Sequence, residues 1–325
     1  MFKSSLKATL LIVVILSLVF CQGEAKKNQD KTVVKENSTW RNANSIPLAI
    51  IKDSSLVKLE IPKTNSKDAI ITHTGYSLLY NEIHEQALWV AYELTKEETI
   101  KLYERTNKFI SDPKVTTLTA SHSDYKRSGY DRGHLAPASD MGWSSIAMKE
   151  SFYYSNMSPQ EPSFNRGIWK NLEELVRTWA VENNQVYIVT GPVLENRLKS
   201  IGFNKVSVPN YYYKIILDYR KPSIKGIGFI LPNLGSKEPL QHYAVTIDSV
   251  EKLTGIDFFP LLQDKQENHI ESRLCIECWT WKSMESRKKN RADKTTLSTQ
   301  CTGTTKKGKR CKRKTKNENG RCFNH

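Results

Sequence analysis

The chain has 325 residues, of which 38% are hydrophobic and 10% aromatic, which is enough to bury one large core or two small ones. This composition excludes a wholly disordered protein. The formal charge of +15 favours polyanionic partners, because a cationic surface raises their local concentration. The charge is uneven: residues 282–325 contribute 15 Lys and Arg against three acidic residues, so the preceding residues carry only +3.

A short apolar run opens the chain and predicts a signal peptide over residues 1–25. Lys3 and Lys7 precede the run 10–20, and small residues lead from it to Ala25. The run is shorter than the roughly 20 residues that a membrane span requires. Two kinds of processing fit this segment: cleavage after Ala25, or lipid modification at Cys21. The bulky residues before Cys21 favour cleavage after Ala25. In either case we expect an exported protein, periplasmic or secreted, without a stable membrane span unless Cys21 is lipidated.

Apolar runs of strand length, separated by polar turns, dominate the chain from about residue 46. The preceding residues 26–45 are polar and aperiodic, which predicts a flexible leader. The runs predict an α+β fold, with a mostly antiparallel sheet flanked by helices. The predicted strands cover residues 76–80, 87–94, 185–190, 211–219 and 224–231.

Three helices are predicted beside the sheet. The first covers residues 144–154, and the second begins after Asn165, where apolar residues recur at three- and four-residue spacing. Glu173 lies about 80° around this helix from Asn165, so both side chains can face one cleft while the apolar face packs on the sheet. The third helix covers residues 248–253 and begins at Asp248, the predicted cap.

Three segments that suit phosphodiester chemistry follow one another within forty residues: Asp131-Arg132-Gly133-His134, then NMSPQ at 156–160 and FNRGIW at 164–169. His134 can accept a proton near neutral pH, and Arg132 can bind phosphate through its planar guanidinium. Asn165 offers a hard amide oxygen that suits Mg²⁺. A base, a cation and a metal ligand are the groups that phosphodiester hydrolysis requires.

The three segments resemble the DNA/RNA non-specific endonucleases of the ββα-metal class, over roughly residues 70–260. The resemblance implies that His134 is the general base and that Asn165 is the direct protein ligand of a hydrated Mg²⁺ or Mn²⁺. It also implies that Asn156 positions the histidine or the phosphate, and that Glu173 holds the waters of the ion. We assign a second phosphate-binding role to Arg105. A surface arginine and a solvent-facing glutamate remain the alternatives for Arg105 and Glu173.

The last 25 residues form a small basic module with four ligands suited to a structural zinc ion: Cys301, Cys311, Cys322 and His325. A segment this polar needs a metal ion or a covalent cross-link in order to fold. Disulfides are the alternative in an exported chain, but removal of Cys21 leaves five cysteines, and an odd count disfavours complete pairing. The surrounding lysines could bind phosphates or simply keep the module in solution.

The sequence therefore predicts five segments: a signal peptide over 1–25, a leader over 26–45, a nuclease domain over 46–262, a polar linker with a CxxC motif over 263–300, and a zinc-binding basic tail over 301–325. The expected activity is metal-dependent hydrolysis of DNA and RNA with little sequence preference, leaving 5′-phosphate ends. Two alternatives remain: a phosphodiesterase for small nucleotides on the same scaffold, and a nucleic-acid-binding protein with an inactive nuclease body.

Overall fold

The computed structural model describes residues 58–65, 67–117, 119–220, 224–283, 299–305, 308–315 and 319–322. The predicted signal peptide, the leader and His325 lie outside these residues, so the structure does not bear on them. Within the described ranges, no helix combines the length and the apolar character that crossing a membrane requires.

Thirteen strands and five α-helices make up the regular structure of the described residues. The strands are β1 (Ile70–Thr72), β2 (Ser77–Asn81), β3 (Gln86–Thr95), β4 (Asp131–His134), β5 (Met157–Gln160), β6 (Gln185–Pro192), β7 (Ser200–Ile201), β8 (Val206–Ser207), β9 (Tyr211–Asp218), β10 (Lys225–Pro232), β11 (Ala244–Val245), β12 (Thr299–Gln300) and β13 (Lys314–Thr315). The helices are α1 (His122–Tyr125), α2 (Ser145–Glu150), α3 (Lys170–Asn183), α4 (Ile247–Thr254) and α5 (Asp264–Glu271).

A seven-stranded sheet forms the centre of the fold, in the order β1-β2-β3-β6-β9-β10-β11. Every neighbouring pair is antiparallel. The predicted pairing of 76–80 with 87–94 is confirmed as β2 with β3, and that of 211–219 with 224–231 as β9 with β10. The predicted α+β class is therefore confirmed, and the long connection from β3 to β6 carries the hairpin of β4 and β5.

Both faces of the central sheet are buried, which explains why its inner strands read as apolar runs rather than as alternating sequences. In β9, Tyr212 and Ile216 join the core on one face, while Tyr213 and Ile215 join the core on the other. Helix α3 covers the first face, and α4 and α5 supply side chains to the second. The long connection thus places its helix over β3 and β6 of the sheet.

Two predicted helix boundaries differ from the structure. Helix α2 ends at Glu150, because the chain then turns through a short 3₁₀ segment that ends at Asn156. The assignment of Asp248 as the cap of α4 is wrong, since the Thr246 hydroxyl accepts the Ser249 N–H at 3.2 Å. Asp248 instead lies in the first turn, where a negative charge interacts favourably with the helix dipole.

The segment after residue 262 packs on the sheet domain as far as about residue 281, whereas the sequence predicts a polar linker over 263–300. Ile270 of α5 joins the second core, and Trp279 packs on Trp179 of α3 with ring centroids 4.5 Å apart. The Trp179 indole N–H donates to the Thr280 carbonyl at 2.6 Å, and Cys275–Cys278 is a disulfide. A few large apolar side chains anchor this segment, although its average composition is polar.

Candidate active site

The predicted general base lies on a hairpin that is fastened to the central sheet. Strands β4 and β5 pair antiparallel, with Gly133 opposite Ser158. The Ser158 hydroxyl donates to Gln86 of β3 at 2.5 Å and lies 2.6 Å from the Tyr212 hydroxyl of β9. These buried hydrogen bonds fix the hairpin, and with it His134 at the end of β4, on the same face as α3.

Gly133 is required by a close approach across this hairpin. A Cβ at position 133 would lie 2.1 Å from the side-chain carbon of Gln160, far inside van der Waals contact. Gln160 is fully buried and lies in the partner strand. The glycine of the DRGH motif therefore makes room for a neighbouring side chain, and His134 follows it directly on the paired strand.

Asp131 joins the hairpin to the segment that carries the predicted metal ligand. Its carboxylate accepts a hydrogen bond from the Asn165 amide at 2.9 Å and two from Arg166, at 2.8 and 2.6 Å. Partial burial works to raise the pKa of Asp131, but the hydrogen bonds from Arg166 and Asn165 outweigh it and lower the pKa. Because the Asn165 amide nitrogen is bound to Asp131, its oxygen Oδ1 is the atom left to bind a cation.

Asn165 belongs to an irregular turn rather than to a regular helix. The segment Phe164–Trp169 is π-helical, and α3 begins only at Lys170. Gly167 has non-helical dihedral angles, φ −111° and ψ −111°, so the chain kinks between Asn165 and Glu173. The 80° offset expected for a straight helix therefore does not describe these two side chains.

His134 is 7% exposed and lies between two aromatic rings. The edges of Phe152 and Phe109 meet it with centroids 4.9 and 5.9 Å away. Each ring also contacts an arginine: the Arg132 guanidinium carbon is 3.9 Å from the Phe109 centroid, and that of Arg105 is 4.9 Å from the Phe152 centroid. Cation–π contacts thus hold both predicted phosphate-binding arginines beside the histidine.

The surroundings of His134 keep its imidazole neutral. Burial, followed by the positive charges of Arg105 and Arg132, lowers the pKa of His134 to about 3. Its Nε2 atom has no hydrogen-bond partner among the described residues. A neutral imidazole with an uncommitted nitrogen has a free lone pair for a proton, but the low pKa makes it a weak base as long as the charges of Arg105 and Arg132 are uncompensated.

Asn156 holds the chain that follows the histidine. Its side-chain oxygen accepts the Ala136 N–H at 2.9 Å, and its nitrogen donates to the carbonyls of Ala136 at 2.9 Å and Ser151 at 2.8 Å. Its own carbonyl accepts the Leu135 N–H at 3.0 Å. Asn156 is predicted to position either His134 or the phosphate. The geometry supports the first role, because both amide protons of Asn156 are already donated to carbonyl groups and neither is left for a phosphate.

Glu173 lies on α3 within reach of several charged groups. Burial raises the pKa of Glu173, and the positive charges of Lys214, Arg177 and Arg105 oppose this rise. The Arg105 charge acts on both Glu173 and His134, so its guanidinium lies within electrostatic range of both side chains. Arg105 also donates to the side chain of Asn107 at 2.7 Å.

A buried polar network under α3 escaped sequence reasoning. Lys214 is fully buried in β9, 4.7 Å above the ring of Trp169, and burial lowers its pKa. Asp140 accepts hydrogen bonds from Arg177 and Tyr92, each at 2.8 Å. Two features of the sequence indicate this network: Lys214 is a single lysine inside an apolar strand, and Arg177 lies four residues after Glu173 on the same helix face.

The tail cysteines form a second cluster. Cys301, Cys311 and Cys322 are all buried, and their sulfur atoms lie within 4.8 Å of one another. The fourth predicted ligand, His325, is outside the described residues.

Comparison with known proteins places residues 54–265 within the sequence profile of the DNA/RNA non-specific endonucleases. Mitochondrial nuclease EXOG of Danio rerio is 35% identical over 211 residues, which cover 60% of this chain but only 62% of that protein. Mitochondrial endonuclease G of Homo sapiens is 35% identical over 201 residues, covering 57% of this chain and 68% of that protein. Nuclease C1 of Cunninghamella echinulata var. echinulata is 38% identical over 205 residues, covering 58% of this chain and 81% of that protein.

A solved structure has the same fold. A chain in the crystal structure of an EndoG/EndoGI complex superposes with a TM-score of 0.60 at 31% identity, covering 69% of this chain and 96% of that one. The profile match includes every predicted nuclease residue from Arg105 to Glu173, and it ends before the cysteine cluster that begins at Cys301.

Proposed function

The chain belongs to the DNA/RNA non-specific endonuclease family, a family of hydrolytic nucleases, and we propose that it cleaves phosphodiester bonds in DNA and RNA with the help of a divalent cation. One observation carries this proposal. A buried, neutral His134 lies beside Arg105 and Arg132, on a strand that Asp131 ties to Asn165.

His134 is proposed as the general base. It accepts a proton from the water that attacks phosphorus, and the new P–O bond forms as the bond to the 3′ oxygen breaks. The products are a 5′-phosphate and, after the 3′ oxygen takes up a proton, a 3′-hydroxyl. Arg132 and Arg105 bind the non-bridging oxygens, where negative charge accumulates in the transition state.

The residues around Asn165 fit a divalent cation that prefers oxygen ligands. The Asn165 amide nitrogen is committed to Asp131, which leaves Oδ1 as a neutral ligand, and Glu173 offers a carboxylate that can bind waters of the ion. We propose Mg²⁺ or Mn²⁺, which would neutralise charge on the phosphate and on the leaving oxygen. The Arg177 charge lowers the pKa of Glu173 and so favours its ionised form, while the Asp140 carboxylate that pairs with Arg177 acts in the opposite direction.

The proposal is tested by cleavage of plasmid DNA and of a long RNA by wild type, His134→Ala and Asn165→Ala, each with chelator and with Mg²⁺ restored. Loss of a general base lowers the rate by about 10²- to 10⁴-fold. Asn165→Ala should require more Mg²⁺ for half-maximal rate. The matched control is His242→Ala, an exposed histidine, which should cleave like wild type.

The same assay separates the alternatives. Cleavage of dinucleotides in preference to plasmid would support a phosphodiesterase for small nucleotides, and binding without metal-stimulated cleavage would support an inactive nuclease body. Full activity in His134→Ala would contradict the assignment of the base.

We also propose that the chain is exported. Lys3, Lys7 and the apolar run 10–20 support a signal peptide. Mass spectrometry of the mature N-terminus should find a chain that begins at Lys26, after cleavage behind Ala25. A lipidated Cys21 would make the protein a lipoprotein, and an intact N-terminus in the cytosolic fraction would contradict export.

A further inference from the structure

The three cysteines of the tail have the spacing of thiolates that share a metal ion. The sulfur atoms of Cys311 and Cys322 are 3.9 Å apart, and that of Cys301 lies within 4.8 Å of both. A disulfide requires about 2.05 Å between sulfurs. Two thiolates bound at about 2.3 Å to one tetrahedral zinc ion lie about 3.8 Å apart. The observed separation therefore matches a shared metal and exceeds a covalent bond.

Backbone groups support negative charge on one of these sulfurs. Cys301 Sγ accepts the Gly303 N–H at 3.3 Å and the Cys322 N–H at 3.2 Å. Cys301 is fully enclosed by the surrounding chain. Amide protons that point at a buried sulfur stabilise a thiolate, which is the form that binds metal.

The module has almost no other source of stability in its described residues. Its regular structure is the pairing of β12 with β13, two residues each. Among the described residues of 299–322, the buried ones are the three cysteines and Thr315. Apolar burial of this size cannot offset the conformational entropy of ordering the chain, so small modules of this kind depend on a metal or a covalent link.

We propose that Cys301, Cys311 and Cys322 bind one structural zinc ion as thiolates. His325, which the sequence predicts as the fourth ligand, lies outside the described residues. Soft thiolates favour zinc over Mg²⁺, whereas the amide oxygen of Asn165 is a hard ligand of the kind that Mg²⁺ prefers. The two proposed metal sites are therefore chemically distinct. The zinc site lies beyond residues 54–265, outside the family match and independent of the proposed hydrolysis.

Metal analysis of the full-length protein tests the proposal. The wild-type chain, purified without chelator, should contain one zinc per chain, and Cys311→Ser should contain almost none. The matched control removes the other two cysteines of the described chain, as Cys275→Ser/Cys278→Ser, and should keep its zinc because those residues are paired with each other. Asn165→Ala should keep its zinc as well. Replacement of zinc by Co²⁺ should produce a thiolate-to-cobalt charge-transfer absorption in wild type.

Two results would overturn the proposal: wild-type protein without zinc in which two of the three cysteines are disulfide-bonded, or full zinc content in Cys311→Ser. If Cys311→Ser fails to fold, the zinc content and the cobalt spectrum of the wild type still show whether thiolates bind a metal ion. His325→Gln should release zinc to a competing chelator faster than wild type. Release at the wild-type rate would remove His325 from the ligand set.

Discussion

The nuclease domain and the cysteine module obtain their order from different sources. The domain surrounds a seven-stranded sheet with apolar side chains on both faces. The module, in its described residues, has two short strands and a core made of cysteines. An apolar core can hold many side chains in fixed positions at once, whereas a metal orders only the backbone that supplies its ligands. The difference suits the position of the proposed catalytic groups, all of which lie in the domain.

The two regions also distribute positive charge differently. Residues 301–325 contain nine Lys and Arg against Glu318 alone, and the described cations of this range are exposed. In the domain, Arg105 and Arg132 are each held on an aromatic ring beside His134. The domain uses single cations at defined positions, which suits stabilisation of one transition state, and the tail carries a general basic field.

The largest expected effect comes from a cavity in the domain core. Trp179 is fully buried and packs on Trp279 and Phe229. Trp179→Ala should lower the free energy of unfolding by about 3–5 kcal/mol, because it removes a large aromatic contact and leaves a void. Urea denaturation followed by circular dichroism measures this, with Leu253→Ala on the surface of α4 as the control. Zinc content should not change, and its loss would show that the two regions depend on each other.

The next effect concerns the link between the hairpin and Asn165. Asp131→Ala removes the acceptor of the Asn165 amide and of Arg166. A displacement of about 1 Å at a catalytic group can lower the rate about 10²-fold. We expect a loss of that size, together with a higher Mg²⁺ concentration for half-maximal cleavage. Asp264→Ala, at the exposed start of α5, is the control. An unchanged Mg²⁺ requirement would contradict the role of Asp131.

A pH profile tests the buried network. Burial raises the pKa of Glu173, and the Lys214 charge opposes that rise, so Lys214→Met should raise the pKa further. Glu173 would then lose its charge at a higher pH as the solution is acidified. The acidic limb of kcat/KM should move to higher pH, with an approximately tenfold loss at neutral pH that is recovered in base. Lys225→Met in β10 is the control, and an equal loss at every pH would indicate a merely structural role for Lys214.

The smallest effect on the domain should follow from breaking the module. Cys322→Ser should release zinc yet change the domain's unfolding free energy by less than about 0.5 kcal/mol, since none of the described tail residues belongs to the core of the domain. Cleavage of a short oligonucleotide should be unchanged. Scanning calorimetry measures the stability of the domain, and a fluorescent oligonucleotide assay measures the cleavage rate. A domain destabilised by several kcal/mol would mean that the module is part of its fold.

Local patterns in the sequence predicted much of the fold. Strands β2, β3, β9 and β10 were visible as apolar runs bounded by turns, and their pairing is confirmed. Family membership followed from the order of DRGH, NMSPQ and FNRGIW, and it is confirmed by the profile match. The roles assigned to His134 and Asn165 stay predictions, and the structure brings their two segments together through Asp131.

What the sequence did not reveal depends on contacts between distant segments. Lys214 and Glu173 are 41 positions apart and come within electrostatic range only because α3 packs on the face of the sheet to which Lys214 belongs. The kink at Gly167 has no counterpart in helical periodicity, so the 80° angle that a straight helix predicts between Asn165 and Glu173 does not apply. The packing of Ile270 and Trp279 was missed because isolated apolar residues in a charged segment leave no periodic signal.

Chemical rescue of His134→Ala tests the central claim most directly. The substitution leaves a space between Phe109 and Phe152 in which free imidazole can replace the lost side chain. If His134 is a neutral general base, added imidazole should restore cleavage with saturation, and more strongly at a pH where imidazole is neutral. Asn165→Ala should not respond. Failure of imidazole to restore His134→Ala, or equal rescue of Asn165→Ala, would contradict the account.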